Sequence, residues 1–200
     1  MGVEIERKFI IKDLPEDLDK YPFHVIEQGY LNVRPAIRVR REDDIYYMTY
    51  KSDMSDEVRK ELLAELPDGS SPGDCIGKIE YNMPMDAVSY DHMILKADGN
   101  IVKKKRYLIP LNEDAFTRDY LGGRPEIEEL LKEGRIKIEL DVFDEPYKGM
   151  VVAEVEFPDE EAAANYKKAA WFGEEVTGDP KYSNAYLSSL PEDIIRNTKW

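Results

Sequence analysis

The chain has 200 residues, of which 42% are hydrophobic and 35% are charged, and its net charge at neutral pH is −14. These proportions exclude a disordered chain and are typical of a globular protein that is large enough to bury a core. The negative charge argues against non-specific binding to nucleic acids and to anionic membranes, so we expect neither partner. No apolar run reaches membrane-spanning length and no signal-peptide core is present, so we expect a cytoplasmic protein.

Alternating polar and apolar residues predict eight strands. They fall near residues 3–11, 23–33, 36–42, 45–51, 76–83, 101–109, 135–143 and 150–157. Helical patterns lie between and after them, at residues 56–66, 86–96, 125–133 and 159–171, with a short helix starting at Pro191. We interpret residues 53–75 as an insertion within a single domain that spans residues 1–200. This succession predicts an α+β domain with a mostly antiparallel sheet.

The first strand has the most informative pattern. Glu4, Glu6 and Lys8 alternate with Ile5 and Phe9, so the three charged side chains share one face of the strand. Neighbouring carboxylates on one face repel each other unless a cation lies between them. The pattern therefore predicts a metal site beside a lysine that can bind phosphate.

The later strands also have one charged face and one apolar face. The simpler explanations are an ordinary sheet with one solvated face, or charge neutralisation between adjacent strands. However, the charged faces are almost purely ionic and like charges are grouped, as in Arg38 with Arg40 and Glu154 with Glu156. This segregation favours a closed barrel in which the charged faces point inward and helices cover the apolar faces.

The inward carboxylates would bind a divalent cation. Cys75 is the single cysteine and the chain has two histidines, which excludes a cysteine-rich or histidine-rich metal site. Carboxylate ligands favour Mg²⁺ or Mn²⁺ over zinc. Lysine and arginine on the same faces would bind phosphate oxygens.

The ordered motifs of the chain resemble those of the CYTH superfamily, the triphosphate tunnel metalloenzymes. Residues 4–9 are similar to its ExExK signature, and residues 28–31 are similar to its QGYL segment. Further similar segments follow in the family's order at residues 38–40, 48–51, 78–80, 104–107, 140–143, 149–157 and 173–184. Residues 53–75 and 112–134 are longer than the family pattern, and Lys181 stands where arginine is more frequent.

The resemblance implies an eight-stranded antiparallel β-barrel whose tunnel binds triphosphates with Mg²⁺ or Mn²⁺. Members include inorganic triphosphatases, thiamine triphosphatases, RNA 5′-triphosphatases and class IV adenylate cyclases. The C-terminal motif is most similar to that of members that hydrolyse inorganic triphosphate. Adenylate cyclase or thiamine triphosphatase activity, and a non-catalytic module that binds polyphosphate or nucleotide, are the alternatives.

The resemblance also implies a set of site residues for hydrolysis of a small polyanion. The expected metal ligands are Glu4, Glu6, Asp141, Glu154 and Glu156. The expected substrate-binding residues are Lys8, Arg38, Arg40, Lys51, Lys78, Lys104, Arg106 and Lys181. The expected catalytic residues are Glu4, Glu6, Lys8, Glu80 and Glu156. A homodimer is a further possibility that the sequence leaves open.

Overall fold

The computed structural model describes residues 5–52 and 79–199. Within these ranges eight strands are present, as predicted: β1 (Ile5–Ile10), β2 (Phe23–Val33), β3 (Ala36–Glu42), β4 (Ile45–Ser52), β5 (Ile79–Met85), β6 (Val102–Pro110), β7 (Lys137–Phe143) and β8 (Val151–Phe157). Glu4, Lys78, the insertion at residues 53–75 and the helix predicted at residues 56–66 lie outside the described residues.

The strands form one antiparallel sheet in the order β1-β8-β7-β6-β2-β3-β4-β5. Strands that are consecutive in the chain are antiparallel neighbours from β2 to β5 and from β6 to β8. Strand β2 also pairs with β6, and β1 pairs with β8. Strands β1 and β5 end the sheet. The hydrogen-bonded closure expected of a barrel is therefore not found in the described part of the chain.

A C-terminal segment, residues 173–177, occupies the outer edge of β1. The amide of Ile10 donates to the carbonyl of Glu174 at 3.0 Å, and the amide of Val176 donates to the carbonyl of Lys8 at 2.8 Å. The amide of Lys8 donates to the hydroxyl of Thr177 at 3.0 Å. Because these bonds use the backbone groups that another strand would need, β5 does not pair with β1 there.

The described ranges contain six short α-helices: α1 (Ala87–Ile94), α2 (Arg118–Gly123), α3 (Pro125–Lys132), α4 (Glu160–Asn165), α5 (Asn184–Ser189) and α6 (Glu192–Asn197). Four of them begin after a side chain that accepts a hydrogen bond from the backbone three residues later, namely Asp86, Thr117, Asp159 and Ser183. Such caps satisfy amides that a helix start leaves unpaired. No helix of the described ranges has the length and apolarity needed to cross a membrane.

The helix predicted at residues 159–171 is shorter than expected. It ends at Asn165, and Tyr166 adopts an extended backbone conformation. The guanidinium group of Arg7 donates to the carbonyls of Ala163 and Tyr166, at 3.2 and 2.9 Å, which satisfies oxygens at the helix end. Tyr166 and Phe172 are then free to pack in the core.

The main hydrophobic core covers the apolar face of β1, β8, β7 and β6. Phe9, Leu140 and Val155 of the sheet pack with Ile127 of α3 and with Tyr166. On the other half of the same face, α1 contacts β3 and β4. The predicted polarity of the sheet, with its apolar side beneath helices, is thus confirmed.

A second core lies at one end of the opposite face. Val102, Phe143 and Val152 are each two residues from a charged residue of that face, and they pack with Leu187 and Leu190. Helix α5 and the residues that follow it therefore cover this end of the charged side of the sheet.

Candidate active site

One face of the sheet, here called the charged face, collects the ionic side chains of six strands. Directly opposed pairs on it are Lys8 with Glu154, Glu154 with Glu139, Arg106 with Asp141, Gln28 with Arg40, and Arg38 with Thr49. Because opposed residues in antiparallel strands point to the same side, alternation along each strand brings these groups together.

Arg106 of β6 is at the centre of the charged face. Its Nε and Nη2 atoms donate to the two oxygens of Asp141, each at 2.7 Å. The Nη2 atom also donates to Glu154 at 2.7 Å, and Nη1 donates to Glu139. A planar guanidinium group with five donors can bind several carboxylates in this way, so Arg106 joins β7 to β8.

Lys104 and Asp141 form a fully buried ion pair beside Arg106. Their side chains are 0% and 1% exposed. Burial lowers the pKa of Lys104 to about 8, although the charge of Asp141 opposes this shift. Burial alone would raise the pKa of Asp141, but Arg106 and Lys104 hold it well below its ordinary value. The carboxylate of Asp141 is thus stabilised by two cations.

Lys8 continues the network onto the first strand. Its ammonium group lies 2.8 Å from Glu154 and 3.5 Å from Glu6. Burial opposes the charge on Lys8, yet Glu154 and Glu6 raise the pKa of Lys8 above its ordinary value. Burial and Asp141 both act to raise the pKa of Glu154, but the attraction of Arg106 and Lys8 lowers it.

Arg40 and Arg38 of β3 form the cationic part of the charged face on the other side of β2. Arg40 donates through Nε to Gln28 at 2.9 Å and through Nη1 to the hydroxyl of Tyr47 at 3.0 Å. Tyr47 in turn donates to Glu42 at 2.8 Å. Arg38 donates to Thr49 at 3.1 Å. Both guanidinium groups are therefore held in fixed orientations by neighbouring side chains.

The structure brings most of the predicted site residues to this face. Glu6, Lys8, Lys104, Arg106, Asp141 and Glu154 are joined by ion pairs and hydrogen bonds, and Arg38 and Arg40 share the same side of the sheet. Lys51 is half-buried on β4, two residues beyond Thr49, and Glu156 is exposed opposite Glu6.

The other predicted residues are not joined to this network by the described contacts. Glu80 pairs with Lys51 through the backbone, and its side chain is outside the described part of the chain, as are Glu4 and Lys78. Lys181 is exposed in a 3₁₀ turn at Pro180–Tyr182. No ion pair joins its ammonium group to the described residues of the charged face.

Sequence reasoning missed four residues that complete the network: Gln28, Tyr47, Thr49 and Glu139. The alternation along β7 predicts Glu139 on the same face as Asp141, but Glu139 was not among the expected site residues. The other three are uncharged, and their residue types give no signal in a search for ionic faces.

The carboxylates of the charged face have the chemistry that a hard divalent cation requires. Glu6 is opposed to Glu156, and Glu139 is opposed to Glu154, so two pairs of like charge lie side by side. Oxygen ligands of this kind suit Mg²⁺ and Mn²⁺. Within the described residues no group of three acidic, histidine or cysteine side chains is already arranged to hold a metal ion.

Asp141 has a different environment from the other predicted metal ligands. Both of its oxygens accept hydrogen bonds from Arg106, and one also accepts from Lys104. It therefore balances two buried cations, and its role as a ligand stays a prediction.

Known proteins are similar to this chain over nearly its whole length. The inorganic triphosphatase of Acetivibrio thermocellus is 32% identical over 197 residues, which cover 96% of each chain. The chain belongs to the inorganic triphosphatase family. This membership confirms the resemblance to the CYTH superfamily, although no family model matches the chain.

Two further comparisons support membership of the inorganic triphosphatase family. The inorganic triphosphatase of Nitrosomonas europaea is 29% identical over 193 residues, covering 94% of this chain and 99% of the relative. The crystal structure of the inorganic triphosphatase NE1496 matches with a TM-score of 0.60 and 27% identity, covering 96% of this chain and 98% of that one. The eight antiparallel strands are thus the fold of the family.

Proposed function

We propose that this protein hydrolyses inorganic triphosphate with Mg²⁺ or Mn²⁺ on its charged face. The observation that carries the proposal is the group of largely buried cations on the charged face. Lys8, Lys104 and Arg106 alternate there with carboxylates. A chain of three phosphates needs several cations in line, and the two relatives reported above act on this class of substrate by name.

The cations of the charged face would bind and neutralise the substrate. Positioning and charge neutralisation provide most of the catalysis in phosphoryl transfer. Arg38, Arg40 and Arg106 offer planar groups that can bind phosphate oxygens in pairs, while lysines act as point charges. Lys51, Lys78 and Lys181 would extend this set along the substrate.

The metal ion would be held by carboxylates at the end of the face nearest β1. Glu6, Glu154 and Glu156 are the described candidates, and Glu4 joins them by its position in the sequence. A bound divalent cation neutralises phosphate charge and makes water a better nucleophile. Glu80 or Glu156 would then orient the attacking water and accept its proton.

A substrate panel tests the proposal. Phosphate release is measured from tripolyphosphate, ATP, thiamine triphosphate and pyrophosphate, each with Mg²⁺ and with Mn²⁺. We expect tripolyphosphate to give the highest kcat/KM, and chelation of the metal to abolish turnover. Cyclic AMP formed from ATP would favour a cyclase, and tight binding without turnover would favour a binding module; either result would overturn the proposal.

A matched pair of variants tests the site. Glu6→Gln keeps the size of the side chain and removes the charge beside Lys8, so we expect kcat/KM to fall by about 10²-fold or more, because charge stabilisation of the transition state is lost. Glu192→Gln removes an exposed carboxylate that pairs with Arg196, and its activity should be unchanged. Thermal unfolding of both variants checks that the fold is intact.

A further inference from the structure

Gln28 is a buried polar residue for which the predicted site has no role. It lies on β2 and is 0% exposed. Its neighbours in the sheet are Arg40 on β3 and Val102 on β6. It follows Ile26 by two residues, and Ile26 is opposed to Lys104. Gln28 is therefore on the charged face, between the cations of β3 and those of β6.

The orientation of its amide group follows from its contact with Arg40. The guanidinium group of Arg40 can only donate, so the Gln28 atom 2.9 Å from Arg40 Nε is the carbonyl oxygen Oε1. The other terminal atom, Nε2, is thus the amide nitrogen with two N–H donors. It is buried, and within residues 5–52 and 79–199 no protein atom accepts a hydrogen bond from it.

Such a group is uncommon in a folded protein. The large majority of buried polar side-chain atoms have a hydrogen-bond partner, and an unsatisfied buried donor destabilises the protein by its full desolvation cost. A group of this kind beside charged residues indicates an acceptor beyond the described part of the chain, and a bound ligand is one that fits.

The surroundings of Nε2 indicate the charge of that acceptor. Arg40 is in contact with Gln28, and Arg40 and Lys104 lie close enough to repel each other electrostatically. The charge of Lys104 is balanced by Asp141, so Arg40, which is bonded to Gln28, is the cation that attracts an anion to this position. Phosphate oxygens accept strong hydrogen bonds and carry the charge that this position favours.

We infer that Gln28 is a further substrate-binding residue, whose Nε2 donates to a phosphate oxygen of the polyphosphate while its Oε1 orients Arg40 toward the same anion. This inference rests on the function proposed above. It adds a neutral donor to a site that the sequence describes by charged residues alone.

A pair of variants separates the two roles of Gln28. Gln28→Met has nearly the same volume but lacks both the donor for phosphate and the acceptor for Arg40. Tyr47→Phe removes one hydrogen bond to Arg40 and no donor of Gln28. With tripolyphosphate and the metal ion, we expect Gln28→Met to raise KM about tenfold, the scale of one hydrogen bond to a charged group, and Tyr47→Phe to raise it less. Equal effects of the two variants would overturn the inference, because they would show that Gln28 orients Arg40 and does not bind phosphate.

A direct measurement does not depend on turnover. The side-chain amide signal of Gln28 in ¹H–¹⁵N spectra is identified by its loss in Gln28→Met. Adding tripolyphosphate with EDTA, so that no hydrolysis occurs, should move this signal downfield and slow its exchange with water. An unchanged signal under saturating tripolyphosphate would overturn the inference.

A third variant keeps the inference testable if Gln28→Met does not fold. Gln28→Glu retains an oxygen for Arg40 but has no N–H group and adds a negative charge, so we expect it to weaken binding of tripolyphosphate by tenfold or more. Unchanged binding would overturn the inference. Hydrolysis by the unmodified protein in the same assays tests the proposed function separately, because it does not depend on any Gln28 variant.

Discussion

Asp141 illustrates how a charged side chain can be part of the interior of this protein. Its carboxylate accepts from Lys104 and from two nitrogens of Arg106, and its side chain is almost fully buried. Removing charges from water is costly, so such a group is tolerated only where its partners surround it. The three residues stabilise one another, and loss of Asp141 leaves Lys104 without its ion-pair partner and Arg106 with only Glu139 and Glu154.

We predict that Asp141→Asn destabilises the protein by about 3–5 kcal/mol, because it leaves Lys104 and Arg106 buried without their shared counter-ion. The free energy of unfolding in urea measures this change. Asp114→Asn is the matched control, since Asp114 forms an exposed ion pair with Lys167 and its loss should change stability far less. Similar losses in both variants would contradict the environment assigned to Asp141.

The same carboxylates predict how stability depends on pH. The pKa values of Asp141 and Glu154 are lowered in the folded protein, so the unfolded chain binds protons first as the pH falls. The stability they contribute is fully present above their unfolded values, near 3.8 and 4.5, and is lost progressively below them.

Urea unfolding between about pH 6 and about pH 3 should therefore show a falling free energy, and the decline should be shallower in Asp141→Asn than in the unmodified chain. Parallel curves for the two proteins would show that Asp141 has an ordinary pKa when folded.

Among the strands and helices, the contact between β2 and the chain that follows α1 depends on a glycine. A β-carbon added at Gly29 would lie 2.7 Å from Cβ of Ala97 and within 3 Å of side-chain atoms of Ile94 and Ile101. Close approach of this kind is a common reason for glycine inside a strand.

We expect Gly29→Ala to destabilise the protein by about 1–3 kcal/mol through overpacking. Gly122→Ala is the control, because nothing lies within 4 Å of an added β-carbon there and alanine favours the helix α2. The thermal midpoints of the two variants should move in opposite directions, and a neutral Gly29→Ala would disprove the close contact.

The strands were predicted more completely than the short helices. Strands such as β2 and β8 have several alternating pairs, so their positions matched the sequence pattern within a few residues. Helices α2 and α5 were not predicted, whereas α4 and α6, which also have six residues each, were predicted from Asp159 and Pro191 at their starts. The end of α4 was placed too late, since Arg7 caps it from a strand that is distant in sequence.

In the molecule as a whole, the C-terminal residues cover one end of the charged face. Leu187 is fully buried in the second core, and the hydroxyl of Tyr147 donates to its carbonyl. The side chain of Asn100 donates to the carbonyls of Leu190 and Ser188, at 2.7 and 3.2 Å. These bonds join the C-terminal segment to the loop before β6 and to the loop between β7 and β8.

We predict that Leu187→Ala destabilises the protein by about 2–5 kcal/mol, as expected for a cavity in a well-packed core. Ile194→Ala, at a position that is 46% exposed, should have a much smaller effect. Urea unfolding compares the two. If both variants lost the same stability, α5 would not be part of the core.

The sequence alone predicts the eight strands, the polarity of their faces and most of the ionic residues of the site. These features follow from alternation along a strand, which is a local property of the chain. The tertiary structure alone determines the strand order, the pairing of residues 173–177 with β1 and the partners of Arg106. These features depend on contacts between residues that are far apart in sequence. The neutral donor on Gln28 belongs to this second group: only its burial and its bond to Arg40 distinguish it from any other glutamine.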